Sequence, residues 1–348
     1  MRLIAVILIF ILTGIATTWV ISCKKTGEGG SQTTALQVQI PAGFPAPKYN
    51  FTNNPITKEG FELGRRLFYD GKLSKDGNFP CASCHQQFAA FSTFDHDLSH
   101  GFNNQFTTRN APGLFNMIWL DQFLWDGGVN NLEVQPLAPI TAPNEMAEDI
   151  GNVVKKLQAD AAYPSMFKAA FGSDQVTSQN MLKALTQFVA MMVSANSKYD
   201  KVKRGEAQFN VSEQAGYESF KQKCAACHQE PLFTDLSYRN DGFSINTSLH
   251  DVGRMRITGK SEDSLKFKVP SLRNVALTEP YTHDGRILSI GQMIDHYTTG
   301  IINSPTLDPL LKNGIQIGYA EKYNLIDFLK TLSDSSFIAD TRFSQPQQ

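Results

Sequence analysis

The 348 residues carry 32 Lys+Arg against 33 Asp+Glu, a formal charge of -1 that gives no case for nucleic acid as a partner. With 41% hydrophobic and 19% charged residues the chain has a globular balance, and its length suits two domains of ordinary size, each able to bury a core. Four of the five cysteines fall in two strings of the same C-x-x-C-H pattern, which leaves no pair for a disulfide.

Residues 1–22 carry one early Arg2, an apolar run from Leu3 to Leu12 that continues through Trp19-Val20-Ile21, and a stop at Ser22-Cys23-Lys24-Lys25. This is the shape of a secretory signal and is not counted as fold. Val20-Ile21-Ser22-Cys23 resembles a bacterial lipoprotein cleavage box, in which Cys23 becomes the lipidated first residue; an uncleaved membrane anchor is the competing reading. Either way the body is expected outside the cytoplasm, in the periplasm or cell envelope and anchored at a membrane. Residues 23–48, rich in Gly, Ser, Thr and Pro, read as a flexible tether.

The first string, Cys81-Ala82-Ser83-Cys84-His85, recurs as Cys224-Ala225-Ala226-Cys227-His228. Two thiols on one helical turn can form thioethers with the two vinyl groups of haem, while the next imidazole reaches the iron, so each string predicts a covalently held haem c with His85 or His228 as proximal ligand. A zinc site or a redox dithiol would use the same cysteines, but neither explains a doubled string twice followed by His. Between the strings, Met181, Leu182, Leu185, Phe188, Val189 and Met192 recur at three- and four-residue spacing and predict a helix with a core stripe. A polar stretch from Asp200 to Val211 then marks a boundary, and Ser212 reads as the N-cap of the next helix, with Gly216, Phe220 and Cys224 one turn apart on the face toward the haem. A last helix, Glu321 to Leu332, presents Leu325, Ile326, Leu329 and Leu332 on one side.

The two halves look duplicated. Leu67-Phe68, the haem string, Arg109-Asn110 and Trp125-Asp126-Gly127 are matched by Ser219-Phe220, the haem string, Arg273-Asn274 and His283-Asp284-Gly285. The expected fold is mostly α, two cytochrome c-like haem domains with long loops, spanning residues 49–205 and 206–345.

What fills the sixth position of each iron separates electron transfer from peroxide chemistry. Here the chain resembles the bacterial di-haem cytochrome c peroxidases and the related MauG-type enzymes. The resemblance rests on Leu67-Phe68-Tyr69-Asp70, Ser99-His100-Gly101, Arg109-Asn110-Ala111-Pro112, Trp125-Asp126-Gly127, Glu145-Met146 and Phe267-Lys268-Val269-Pro270-Ser271-Leu272-Arg273-Asn274 through His283-Asp284-Gly285. It implies a peroxidatic haem in the N-terminal domain, an electron-entry haem in the C-terminal domain, calcium between them, hydrogen peroxide as substrate, a cytochrome c or other small redox protein as donor, and homodimers.

By the same resemblance Trp125 is similar to the tryptophan that relays electrons between the haems, and Glu145 and Gln135 to the distal acid/base and its hydrogen-bonding partner. Heterolysis of peroxide needs a group that takes a proton from one oxygen and returns it to the other, which a buried carboxylate of raised pKa can do. His100 resembles the histidine that caps the peroxidatic iron in the oxidised state, with His96 as a rival. In the second domain the peroxidases place a methionine fourteen residues after the His of His-Asp-Gly, and this chain has Tyr297, as MauG-type enzymes do. His296 and Met293 are the alternatives, and Tyr297 read alone is a packed aromatic. A phenolate ligand favours the ferric state and lowers the potential. Asn110, Thr278 and Pro280 match the family's calcium site, where an amide and carbonyl oxygens suit a hard cation.

Overall fold

The computed structural model describes residues 33–347, so the signal shape and Cys23 lie outside the described residues. In the first half Thr57 accepts from Gly60 N and so starts α1 (Lys58–Tyr69). Helices α2 (Ile150–Gln158) and α3 (Tyr163–Phe171) lead to α4 (Ser178–Ala190), which packs along α1. The stripe expected on α4 is the one that turns inward: Met181, Leu182, Leu185, Phe188 and Met192 are buried and meet Phe61, Leu67 and Phe68 of α1 in one core. Each such side chain contributes roughly 1.5–3 kcal/mol by leaving water.

The second half repeats the device with α5 (Val211–Lys223), α6 (Ile290–Asp295) and the closing helix α7 (Tyr319–Lys330), α5 packing along α7. The cap of α5 is Asn210, not Ser212. Asn210 Oδ1 accepts from Glu213 N at 2.8 Å and the Glu213 carboxylate accepts from Asn210 N at 2.8 Å, a reciprocal pair that Ser212, two residues too late, cannot make. Ser212 instead donates across to Asp327 of α7 at 2.7 Å. Gly216 and Phe220 also face α7 rather than the haem, and a Cβ on Gly216 would collide with the Asn324 carbonyl.

Strands are few, as the mostly α expectation requires: β1 (Tyr238–Arg239) pairs antiparallel with β2 (Phe267–Lys268). Two apolar cores result. One runs from Ile56 to Met192 and takes in Phe337 and Phe343 from the C-terminus, and the other gathers Tyr199, Phe220, Phe233, Ile294, Leu325 and Phe328. Residues 34–48, expected within a flexible tether, are packed instead. Leu36 N donates to Ile56 O at 2.9 Å, Lys48 N to Ile118 O at 2.9 Å, and Phe44 sits edge-on to Trp119 with the Arg273 guanidinium over its ring. Leu36, Val38 and Phe44 are apolar enough to join the first core, which the Gly and Pro content around them conceals.

The duplication is visible in backbone detail, with one change of register. Asn116 and Asn274 both adopt the left-handed conformation (φ 57° each) and each starts a 3-10 turn, Met117–Trp119 or Val275–Leu277. Seven residues on, Phe123 N donates to Val129 O and Tyr281 N to Ile287 O, both at 2.7 Å, closing matching loops around Trp125-Asp126-Gly127 and His283-Asp284-Gly285. The partner of Arg273-Asn274 is therefore Phe115-Asn116, not Arg109-Asn110. Asparagine tolerates positive φ better than most residues, and that is the property the repeat preserves.

Candidate functional site

Cys81–Cys84 forms a single helical turn whose end is closed by His85 N donating to Cys81 O at 3.0 Å. His85 Nδ1 lies 2.8 Å from the carbonyl of Phe91, a buried residue held at φ 59°. In the second half His228 Nδ1 lies 3.1 Å from the carbonyl of Phe233, buried and held at φ 56°. With Nδ1–H donating to the chain, each imidazole keeps Nε2 free as a ligand, and burial lowers the pKa of both rings so that they stay neutral.

Burial pushes the thiols of Cys81 and Cys224 up to about 12, and no group of three or more His, Cys, Asp or Glu among the described residues could hold a metal ion. A structural zinc site takes four such ligands, and the described residues gather no set of that kind at either string. The donor set fits haem: two neutral thiols and one neutral imidazole on one turn, twice over. Around Cys224, Cys227 and His228 lies a mainly apolar cavity of about 700 Å³, also lined by Trp125, Met293, Tyr297, Leu325 and Leu329, which suits a flat macrocycle.

Tyr297 and Met293 both face this cavity. His296 does not: its Nε2 lies 2.8 Å from Asp241 O and its ring is stacked on Phe243 at 3.6 Å. A π-helical segment, His296–Gly300, follows α6 directly, and such a bulge commonly marks a functional position. Burial raises the Tyr297 phenol well above its ordinary value, so in the absence of a cation it keeps its proton.

At the first site, Glu145 is partly buried and desolvation raises its carboxyl above the ordinary value, while burial first and the Glu145 charge to a lesser degree raise the nearby Cys84 thiol. The loop bearing His100 is fixed beside it: Phe102 N donates to Glu145 O at 2.7 Å, and a Cβ on Gly101 would collide with Asn144 and Glu145 backbone. His100 packs against Phe106 at 4.5 Å and its buried Nδ1 has no partner, whereas His96, 5.4 Å away ring to ring, is exposed. Gln135 and Glu145 flank the short helix Leu137–Thr141, with no hydrogen bond between their side chains.

Trp125 is held by Nε1 donating to Asn110 O at 2.9 Å, and Asn110 N donates to His283 O at 2.8 Å. Asn110 Nδ2 donates to Asp97 O, which turns its side-chain oxygen the other way. Asn110, Thr278 and Pro280, the expected calcium residues, all line the second cavity with Trp125. His283 stacks on Phe267 at 3.7 Å, and burial lowers its pKa to about 4 in spite of neighbouring Asp284 and Asp251, so it is a neutral packing group. Two features become visible only in the fold, although both residues lie in strings that carry the resemblance. Arg109 forms a two-pronged pair with Asp251 (2.6 and 2.8 Å) and a third bond to Asp126 (2.7 Å), and Lys268 packs, half-buried, against the Trp125 loop.

Residues 58–208 match the di-haem cytochrome c peroxidase family model. Over 298 residues the chain is 34% identical to the methylamine utilization protein MauG of Methylorubrum extorquens, covering 84% of this chain and 82% of the relative. It is 38% identical over 274 residues to the cytochrome c551 peroxidase of Nitrosomonas europaea, covering 75% and 81%. Among solved structures, a MauG-like protein associated with microbial copper homeostasis superposes with a TM-score of 0.82 at 33% identity, over 90% of this chain and 99% of that one. The diheme peroxidase BthA of Burkholderia thailandensis shares the fold with a TM-score of 0.71 at 19% identity, over 85% and 91%. With its two haem strings on one repeated scaffold, the chain belongs to the di-haem cytochrome c peroxidase family, an oxidoreductase family, and carries two haem c groups.

Proposed function

We propose that the chain reduces hydrogen peroxide to two waters, taking two electrons from a small redox protein such as a cytochrome c and two protons through Glu145. The single observation that carries this reading is the Glu145 carboxyl, partly buried, desolvated and close to Cys84 at the first haem string. Haem iron supplies the redox chemistry and a place for an oxidant to bind. Around it Glu145 takes the proton from one peroxide oxygen and delivers it to the other, Gln135 orients the incoming oxidant, and His100 holds the site closed until the other half is reduced. Electrons enter on the side of His228, and Trp125, tied to the Asn110 carbonyl, relays them to the side of His85. Oxygens of Asn110, Thr278 and Pro280 would hold calcium, which would keep that relay in place. In this reading Cys81, Cys84, Cys224 and Cys227 carry the haem thioethers, residues 49–205 and 206–345 are the two haem domains, and Cys23 anchors an exported protein to a membrane.

A second reading has its own observation. Tyr297 faces the second cavity, where it would be available to a bound haem as a ligand, and this supports a MauG-like oxidase that spends peroxide equivalents on a protein side chain or a small organic molecule. EPR of the mixed-valence protein separates the readings. A high-spin haem that appears on half-reduction, with turnover of peroxide by reduced cytochrome, is the expected result. A five-coordinate haem already present in the oxidised protein favours the oxidase. Two low-spin haems in every redox state would leave a plain electron carrier and end both enzymatic readings.

A further inference from the structure

Three cationic residues line the second cavity, Lys223, Arg239 and Lys268. Two are already matched by carboxylates: Lys223 pairs with Glu321 at 2.7 Å, and Arg239 with Asp235 and Asp308, each at 2.7 Å. Among the described residues Lys268 has no such partner. Its Nζ donates to the Gln122 carbonyl at 2.8 Å, and Asp121 and Asp126 reach it only through their charge. A half-buried ammonium with one neutral acceptor is costly, and desolvation lowers its pKa to about 8, yet no carboxylate among the described residues forms an ion pair with it. A haem brings two propionate carboxylates into this same cavity.

We infer that Lys268 binds a propionate of the second haem and so fixes the edge of that ring beside Trp125. The placement follows from the strand that carries it. Lys268 N donates to Trp125 O at 2.8 Å while its Nζ reaches Gln122, so one residue clips the Trp125 loop at two backbone points and still lines the cavity. Lys268 is thus a positioning residue for the relay as well as a cofactor-binding one. Cations beside a propionate weaken its donation to the ring and favour the reduced iron, so loss of the charge is expected to lower the potential of this haem alone.

The inference rests on the haems, not on the choice between peroxidase and oxidase, and its test uses no turnover. Midpoint potentials of both haems and haem content per chain are measured for the full chain and for Lys268→Gln and Lys268→Arg. Gln retains a donor for the Gln122 carbonyl and lacks the charge; Arg retains both. The expected result for Lys268→Gln is a shift of the second haem toward lower potential by about tenfold in its reduction equilibrium, ~59 mV for one electron, with the first haem unmoved and Lys268→Arg close to the parent. Loss of the second haem in Lys268→Gln but not in Lys268→Arg would support the same assignment. Two haems with unchanged potentials in Lys268→Gln would overturn it, leaving Lys268 a backbone clip, and so would equal shifts of both haems or equal haem loss in both variants.

Discussion

Glu145 shows how one side chain acquires a chemical role from its surroundings. In water a glutamate titrates near ~4.3 and is a poor proton shuttle at neutral pH. Here desolvation is the cause resolved for its shift, with no cation to oppose it, so the carboxyl is held above that value. The deprotonated form is the one that accepts peroxide's proton, so kcat/KM falls as the pH drops through the raised pKa, at a higher pH than an exposed glutamate would impose. Glu145→Gln is expected to lower peroxide turnover about 10²-fold or more and to abolish this acid limb, with two haems per chain retained. Undiminished turnover in that variant would take the proton role away from Glu145.

At the level of elements, the two helix pairs are built on close backbone approach. Gly64 of α1 faces the Ala184 carbonyl of α4, and Gly216 of α5 faces the Asn324 carbonyl of α7; in each case a methyl group has nowhere to go without parting the helices. Gly64→Ala and Gly216→Ala are therefore expected to cost ~1–3 kcal/mol each, read as a lower urea midpoint. Gly291 of α6 is the control, because its nearest neighbour to a new Cβ would be Lys322 Cε at an ordinary 3.5 Å. Gly291→Ala should leave stability unchanged or raise it by up to ~1 kcal/mol through helix propensity. Equal gains in all three variants would show that propensity, not contact, governs these positions. The caps were partly legible for the same reason: Glu213 in a first turn is readable, but which of Asn210 and Ser212 reaches it depends on where the chain enters the helix.

Across the whole molecule, the halves are joined by charge around the Trp125 loop. Asp126 is fully buried and accepts from Arg109 of its own half at 2.7 Å and Arg256 of the other at 2.9 Å, while Arg109 pairs in turn with Asp251 across the halves. These guanidinium groups hold the Asp126 and Asp251 carboxyls below the usual range against the opposing effect of burial. The Arg256 side chain is 56% exposed and adds little, but Arg109 is not so screened. Asp126→Asn leaves that buried guanidinium one charge short, and ~3–5 kcal/mol of stability should go with it. Electron passage between the haems should slow as the loop holding Trp125 loosens, measured by flash reduction of the second haem. A parent-like denaturation curve would show that Asp251 alone suffices for Arg109.

Covalent chemistry and periodicity were readable from the chain by itself. Two C-x-x-C-H strings have one economical meaning, the α4 stripe repeats with the helical period, and the paired Trp-Asp-Gly and His-Asp-Gly strings disclose the duplication, because each of these depends on residues within a few positions of one another. Other features needed tertiary structure. Residues 34–48 pack because the groups that receive them, Ile56, Ile118 and Trp119, come from elsewhere in the chain. His296 is turned away from the cavity that its neighbour Tyr297 enters because the segment is π-helical and Asp241 takes its ring nitrogen. Asn116, and not Asn110, pairs with Asn274 because the repeat conserves a backbone angle more faithfully than a dipeptide. Lys268 stands unpaired only when every carboxylate near it is placed in space. Spacing along a chain reports local geometry; which charges go unmatched and which rings face a cavity are sums over distant segments, and only the folded chain performs them.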